Sequence, residues 1–214
     1  MILYHFPTSP FARRVRLALA LKRVSAELRD ARAVPEHRAE VNRLNPLHTV
    51  PVLVDRERVV VDSTAICHYL ERKYPDPPLW PAGAAGADAF EIMALADAVH
   101  NILSDCGMRY HALSNDPHFA EVKANVVGRA QRALEALASR VTARKPGQAL
   151  CGGEWSAADI AVYCLVTWLE GLPGRAAQFP PAGQVVALGW SLPAALSSWA
   201  EPHRSRPDVQ ALDK

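Results

Sequence analysis

Apolar positions fall into short bursts over the first third of the chain and recur at helical intervals over the rest. Ile2 to Phe6 reads as a short strand, broken at once by Pro7-Thr8-Ser9-Pro10. The run that follows, Phe11 to about Lys22, has helical spacing; Pro10 suits the first helical position, which makes Ser9 the N-cap. Ala26 to Ala31 reads as a second, weaker strand, and Glu36 to Leu44 as a short helix that ends before Asn45-Pro46. Val52-Leu53-Val54 and Val59-Val60-Val61 are two further strands joined through Asp55-Arg56-Glu57-Arg58, and a helix runs from Thr64 to Lys73 with Ser63 as its cap. A parallel pair with a crossover helix, then a helix and an antiparallel hairpin, gives a small mixed four-stranded sheet with helices on its faces.

The prolines at 75, 77, 78 and 81 continue neither helix nor sheet, so residues 76–87 read as a linker. Strand signals nearly vanish beyond it. Asp88 to about Leu113 is expected as a long helix facing inward through Phe90, Ile92, Leu95, Val99, Ile102 and Leu103. Phe119 to Val141 is a second, with Val122, Val126, Ala130, Leu134 and Leu137 at helical intervals, Ala157 to about Leu169 a third, and Leu192 to Trp199 a fourth. Ser156-Ala157-Ala158-Asp159 forms a capping box, flanked by Trp155 and Ile160 as a hydrophobic staple, and the helix behind it is apolar nearly all round, as suits the centre of a bundle. The expected class is α/β plus all-α: a sheet domain over residues 1–75, the linker 76–87, and a helical bundle over 88–214.

Composition narrows the function classes. With 214 residues, half of them apolar, the chain can bury a large core, and a net charge of +2 leaves no electrostatic footprint for nucleic acid. Arg13, Arg14, Arg16, Lys22 and Arg23 cluster on one helix, where a charge run reads as a solvated face. Neither a signal sequence nor an apolar run long enough for a bilayer is evident, so a cytoplasmic protein with no membrane partner is expected. Cys67, Cys106, Cys151 and Cys164 form no C-x-x-C pair, and His100, His111 and His118 lack metal-ligand spacing; reduced, partly buried thiols and no metal are expected.

Candidate chemistry gathers between Asn45 and Leu70. Pro51 opens an apolar run, where the first residue of a strand need not donate to the ladder, and Val50-Pro51 is a candidate cis peptide that would turn the Val50 N–H and C=O toward a ligand. Asp62-Ser63 precedes a helix whose first-turn N–H groups could receive a carboxylate or phosphate. Ser9 holds a hydroxyl at the positive end of another helix, where a thiolate would be stabilised. Each has a plainer reading as a strand start or a cap.

Taken in this order, Ser9-Pro10, Val50-Pro51, Asp62-Ser63 and the later Ser-x-x-Asp cap resemble the cytosolic glutathione S-transferase family in its serine-type classes, theta-like, zeta-like or bacterial. The resemblance extends to Trp199 and Arg206-Pro207-Asp208-Val209. It implies a thioredoxin-like glutathione-binding domain followed by an all-α domain that supplies most of the electrophile pocket. It also implies a job for each position. Ser9, as the catalytic group, donates a hydrogen bond to the glutathione sulfur. Val50, before Pro51, pairs with the cysteinyl part, Asp62 and Ser63 hold the γ-glutamyl end, and His48 and Thr49 reach the glycyl carboxylate. Phe11, Met108, Tyr110 and His111 are pocket candidates. The expected activity is conjugation of the glutathione thiolate to a small apolar electrophile by a homodimer. The alternatives are a glutathione-dependent isomerase, dehalogenase or peroxidase on the same fold, and a binding module without catalysis.

Overall fold

The computed structural model describes residues 1–113 and 116–212, apart from the side chain of His111. It divides into two compact units: Met1–Pro81 together with the stretch from Arg204, and Ala82–His203.

The first unit follows the element order read from the sequence. Strands β1 (Ile2–His5), β2 (Glu27–Asp30), β3 (Val52–Asp55) and β4 (Arg58–Val61) alternate with helices α1 (Pro10–Leu21), α2 (Pro35–Leu44) and α3 (Ser63–Lys73). The sheet order is β2-β1-β3-β4, parallel between β1 and β2 and antiparallel elsewhere. This is the thioredoxin-like arrangement. Successive strand side chains point to opposite faces, so Tyr4 and Val52 share a face and Leu3 and Leu53 share the other. Tyr4 and Val52 are buried with Ala31 and with Val41 of α2, while α1 and α3 pack together.

The charge run on α1 departs from expectation. Arg14 is 3% exposed and Lys22 5%, so the helix does not present these two cations to water. Both continue the apolar stripe marked by Phe11, Val15 and Ala18 at helical spacing. Burial of the Lys22 ammonium is offset by an ion pair with Glu71 at 2.7 Å and by hydrogen bonds to the Tyr74 and Pro77 carbonyls at 2.6 and 2.9 Å. Glu71 also accepts from the Leu79 N–H at 2.9 Å, and the Leu79 side chain is buried. The proline-rich segment is thereby fastened to α1 and α3 as far as Leu79. The chain also returns to this unit at its end: the short helix α9 (Pro207–Gln210) packs on α1 and buries Val209, whereas residues 88–214 were expected to form one helical body.

In the second unit α4 spans Ala84–Ser104, four residues earlier than Asp88. Its buried face is Ala89, Ile92, Met93, Ala96, Val99, His100 and Leu103; Phe90, expected inside, is exposed. Those buried positions recur at three- and four-residue steps from Ala89, and Phe90 falls outside that stripe. The helix ends in a π turn, Asp105–Arg109, and a short 3-10 turn, His111–Leu113, in place of the continuous helix expected to Leu113. Helix α5 covers Pro117–Thr142; Ala130, Leu134 and Leu137 are buried as expected, whereas Val122 is exposed.

Helix α6 (Ala157–Arg175) carries the expected capping box and is buried along most of its length. Asp159 accepts from the Leu150 N–H at 2.8 Å, the Ser156 N–H at 2.9 Å and the Ser156 hydroxyl at 2.6 Å, while burial pushes its carboxyl above the ordinary range. The helix outruns its expected end at Leu169 by passing through Pro173. Proline leaves a carbonyl of the preceding turn without its N–H, and the Arg175 side chain covers the carbonyls of Trp168 and Gly171 nearby, at 2.8 and 3.0 Å. Helix α7 (Pro180–Val186) was not evident in the sequence, and α8 (Ala194–Ala200) stands where the fourth helix was expected.

Lys22→Met keeps the apolar stem of the side chain but leaves Glu71 and two carbonyls without their cation. Equilibrium urea unfolding should show a loss of about 3 kcal/mol; a loss within error of zero would mean that the ion pair does not fasten the segment.

Candidate functional site

Strand register determines what comes together in the first unit. Tyr4 pairs with Val52 and Val52 with Val61, while His5 pairs with Asp30. The segments after β1 (Phe6–Ser9), after β2 (Ala31–Val34), before β3 (His48–Pro51) and after β4 (Asp62–Ser63) therefore all leave the sheet at one edge. Ser9, His48, Thr49, Val50, Pro51, Asp62 and Ser63 all belong to this edge.

Ser9 caps α1 as expected, and its Oγ accepts from the Ala12 N–H at 3.3 Å. That contact uses a lone pair; among the described residues the hydroxyl proton has no acceptor. At the end of β1, His5 is held below its ordinary pKa, first by burial and then by the Arg16 charge, which favours the neutral imidazole. The loop itself is pinned from two sides, by Arg16 donating to the Pro7 carbonyl at 2.9 Å and by Arg32 donating to the Thr8 hydroxyl at 3.0 Å.

The Val50–Pro51 peptide is cis, as expected, and among the described residues the Val50 backbone makes no hydrogen bond. Asn45, read from the sequence only as the end of a helix, positions the loop before it. Its side chain, on a residue 1% exposed, donates to the Thr49 carbonyl at 2.8 Å and hydroxyl at 3.1 Å and accepts from the Leu47 N–H at 3.0 Å. His48, exposed and at φ 52°, stands at the crest of this turn.

The α3 start corrects the sequence reading. The N-cap is Asp62, not Ser63: one Asp62 oxygen accepts from the Thr64 and Ala65 N–H groups at 2.8 and 3.0 Å. Two of the first-turn N–H groups expected to await an anion, those of Thr64 and Ala65, are thus already engaged. Ser63 is the first helical residue, nearly buried, and its Oγ accepts from Arg14 at 3.3 Å; Arg14 also donates to the Thr64 hydroxyl at 3.4 Å. Arg14 thereby joins α1 to α3 directly beneath the edge. The stripe Phe11-Arg14-Val15-Ala18 could have revealed it, because a cation on an apolar face must find partners inside.

The pocket candidates divide between the units. Phe11 lies on α1 with the Arg14 guanidinium 5.5 Å from its ring centre, whereas Met108 lies in the π turn of the second unit with the exposed Tyr110 just beyond it. The side chain of His111 lies outside the described residues. Among the described residues no group of three or more His, Cys, Asp or Glu could hold a metal ion, and no helix is long and apolar enough to cross a membrane. The four cysteines are free and buried, and burial pushes the Cys106 and Cys151 thiols up, away from reactivity.

Comparison with known proteins gives the arrangement its family. The model of the glutathione S-transferase N-terminal domain matches residues 3–78, and that of the C-terminal domain residues 120–199. This chain belongs to the glutathione S-transferase family. Glutathione S-transferase Z1 of Arabidopsis thaliana is 32% identical over 159 residues, 73% of this chain and 69% of the relative. A probable maleylacetoacetate isomerase of Vibrio cholerae is 41% identical over 100 residues, but that match spans 45% of this chain and only 46% of the relative. A glutathione S-transferase from Methylobacterium radiotolerans, solved in complex with glutathione sulfonate, superimposes with a TM-score of 0.71 at 25% identity, covering 98% of this chain and 92% of that one.

Asp62 caps α3 from a backbone at φ 75° and ψ 135°, a region that glycine tolerates and other residues rarely adopt. Asp62→Ala loses the cap and keeps the strain, whereas Asp62→Gly loses the cap and relieves it. The glycine variant should therefore be the more stable by about 1 kcal/mol in urea unfolding; the reverse order would contradict a strained cap.

Proposed function

We propose that this protein is a glutathione-dependent cis–trans isomerase acting on a maleyl-type acid. The likeness to the Vibrio cholerae probable maleylacetoacetate isomerase carries the proposal, and the Arabidopsis Z1 relative supports the same branch. It displaces the conjugating activity first expected, which needs the same thiolate and differs in the fate of the adduct.

Ser9 is the group we assign to the sulfur. With one lone pair engaged by Ala12, its proton is available to a thiolate, and the α1 N-terminus adds a favourable partial charge. Val50 offers its backbone to the cysteinyl residue. Ser63, accepting from Arg14, can donate to the γ-glutamyl carboxylate, and the second Asp62 oxygen can meet the neighbouring ammonium. His48 and Thr49 are assigned to the glycyl end.

In the reaction the thiolate adds to one carbon of the cis double bond, and the π pair moves onto the conjugated carbonyl oxygen as an enolate. Rotation about the resulting single bond is fast. Collapse of the enolate re-forms the double bond in the trans geometry and expels the thiolate, so no atom of glutathione is consumed.

With maleylacetoacetate or maleylpyruvate as substrate, turnover should require glutathione without depleting it. Ser9→Ala should lower kcat at least tenfold, about the contribution of one hydrogen bond to a charged group, while glutathione affinity stays within a few-fold. Glutathione lost one for one with substrate would establish conjugation instead, and equal turnover by the Ser9→Ala protein would remove Ser9 from the mechanism. A homodimer is proposed from the family resemblance; sedimentation equilibrium at micromolar concentration should give twice the chain mass, and a monomer would refute it.

A further inference from the structure

Two helix starts carry the hydroxyls assigned to glutathione, and one buried cation links them. Ser9 caps α1 and Ser63 opens α3; Arg14, in the second turn of α1, donates to the Ser63 Oγ at 3.3 Å and to the Thr64 hydroxyl at 3.4 Å. Arg14 is 3% exposed and Ser63 2%, so the hydrogen bond between them is made away from water. The guanidinium also lies 5.5 Å from the centre of the Phe11 ring, one turn earlier on the same helix. Its place in the stripe Phe11-Arg14-Val15-Ala18 would suit an apolar residue, and replacing a buried charge by a well-packed apolar side chain is often neutral or stabilising. Joining α1 to α3 does not by itself call for an arginine.

What the contact does is orient a proton. A serine hydroxyl has one proton and two lone pairs; a guanidinium that takes a lone pair turns the proton away from itself and strengthens it as a donor. At the same helix start the Thr64 and Ala65 N–H groups are spent on Asp62, so the Ser63 hydroxyl takes over anion-binding work that those amides would otherwise do. We propose that Arg14 is a positioning residue for the γ-glutamyl end of glutathione. It holds the Ser63 hydroxyl as a fixed donor to that carboxylate and keeps the α3 start at a set distance from Ser9, without itself touching the tripeptide. The proposal rests on the glutathione reading of Ser9 and Ser63 and deepens it, because it makes recognition of the γ-glutamyl group depend on a residue of the helix that carries the sulfur site. Such a contact serves bound substrate and transition state alike, so its loss raises KM for glutathione and spares kcat.

The test compares ligands that keep or lack the γ-glutamyl group: glutathione, γ-glutamylcysteine and cysteinylglycine. By calorimetry, Arg14→Met should weaken glutathione and γ-glutamylcysteine about tenfold, the scale of one hydrogen bond to a charged group, and leave cysteinylglycine within about twofold. With maleylpyruvate as second substrate, KM for glutathione should rise by the same factor while kcat stays within about twofold. Arg14→Lys keeps the charge but reaches fewer partners, so its glutathione affinity should fall between those of Arg14→Met and the native protein. Ser63→Ala should match Arg14→Met, and the double variant should bind no more weakly than Ser63→Ala alone, because both act through one contact. Thermal melting reports which variants are folded; if Arg14→Met is not, Arg14→Lys carries the same comparison. Equal weakening of all three ligands, native-like glutathione binding by the folded Arg14 variants, or loss of folding in both would make Arg14 a stabilising residue only and overturn the proposal. Failure of the native protein to bind glutathione is a distinct result, which removes the glutathione reading and this inference with it.

Discussion

Because β1 is paired on both flanks, parallel to β2 through Ile2–His5 and antiparallel to β3 through Ile2–Tyr4, four loops distant in sequence must leave the sheet at one edge. Every group assigned to glutathione lies on one of them. A slip of one residue in either ladder would turn Tyr4 and Val52 out of the cluster they share with Ala31 and Val41. The apolar faces that stabilise the sheet thus also keep Ser9, Val50 and Asp62 in common register.

The edge is supported from beneath by polar groups that have few alternatives. Asn45 and Arg14 are buried, and their hydrogen bonds run to the two segments that flank the cis peptide and open α3. Inside a protein an unmet donor costs far more than a met one contributes, so these side chains restrict the loops around them to few conformations. Lys22 works in the same way at the far end of α1, where its ammonium gathers Glu71 and two carbonyls. The first helix therefore carries three tasks along its length: a hydroxyl at its start, a guanidinium in its second turn, and an ammonium at its end.

Rigidity in the second unit comes from a different device. Asp159 closes the start of α6 while also receiving the Leu150 N–H, so the loop before the helix and the helix itself are fixed by one carboxylate. Near the close of α4 the chain widens into a π turn, where Gly107 meets Val185 of α7. A Cβ at Gly107 would stand 2.6 Å from the Val185 Cγ2, so only glycine permits this approach. Met108 follows that contact inside the π turn.

Much of this architecture was determined by the sequence alone. Alternating apolar bursts, proline punctuation and Ser/Asp starts are local signals, and they yielded the seven elements between Ile2 and Lys73 in order, the cap at Ser9 and the capping box at Ser156. Local signals could not say which cation is buried, because that depends on what packs above it: Arg14 and Lys22 read as solvated charges until α3 and the proline-rich segment cover them. Nor could they show that Asp62 rather than Ser63 caps α3, since both residues are good caps and the choice follows from the backbone turn that leaves β4 and the Arg14 contact that draws Ser63 inward. The place of Arg32 beside Ser9 was likewise invisible, being set by the parallel pairing of β1 with β2. What the chain fixes locally is the type of each element; what the tertiary structure decides is which polar groups are taken out of water together, because desolvation depends on neighbours that the linear order does not name.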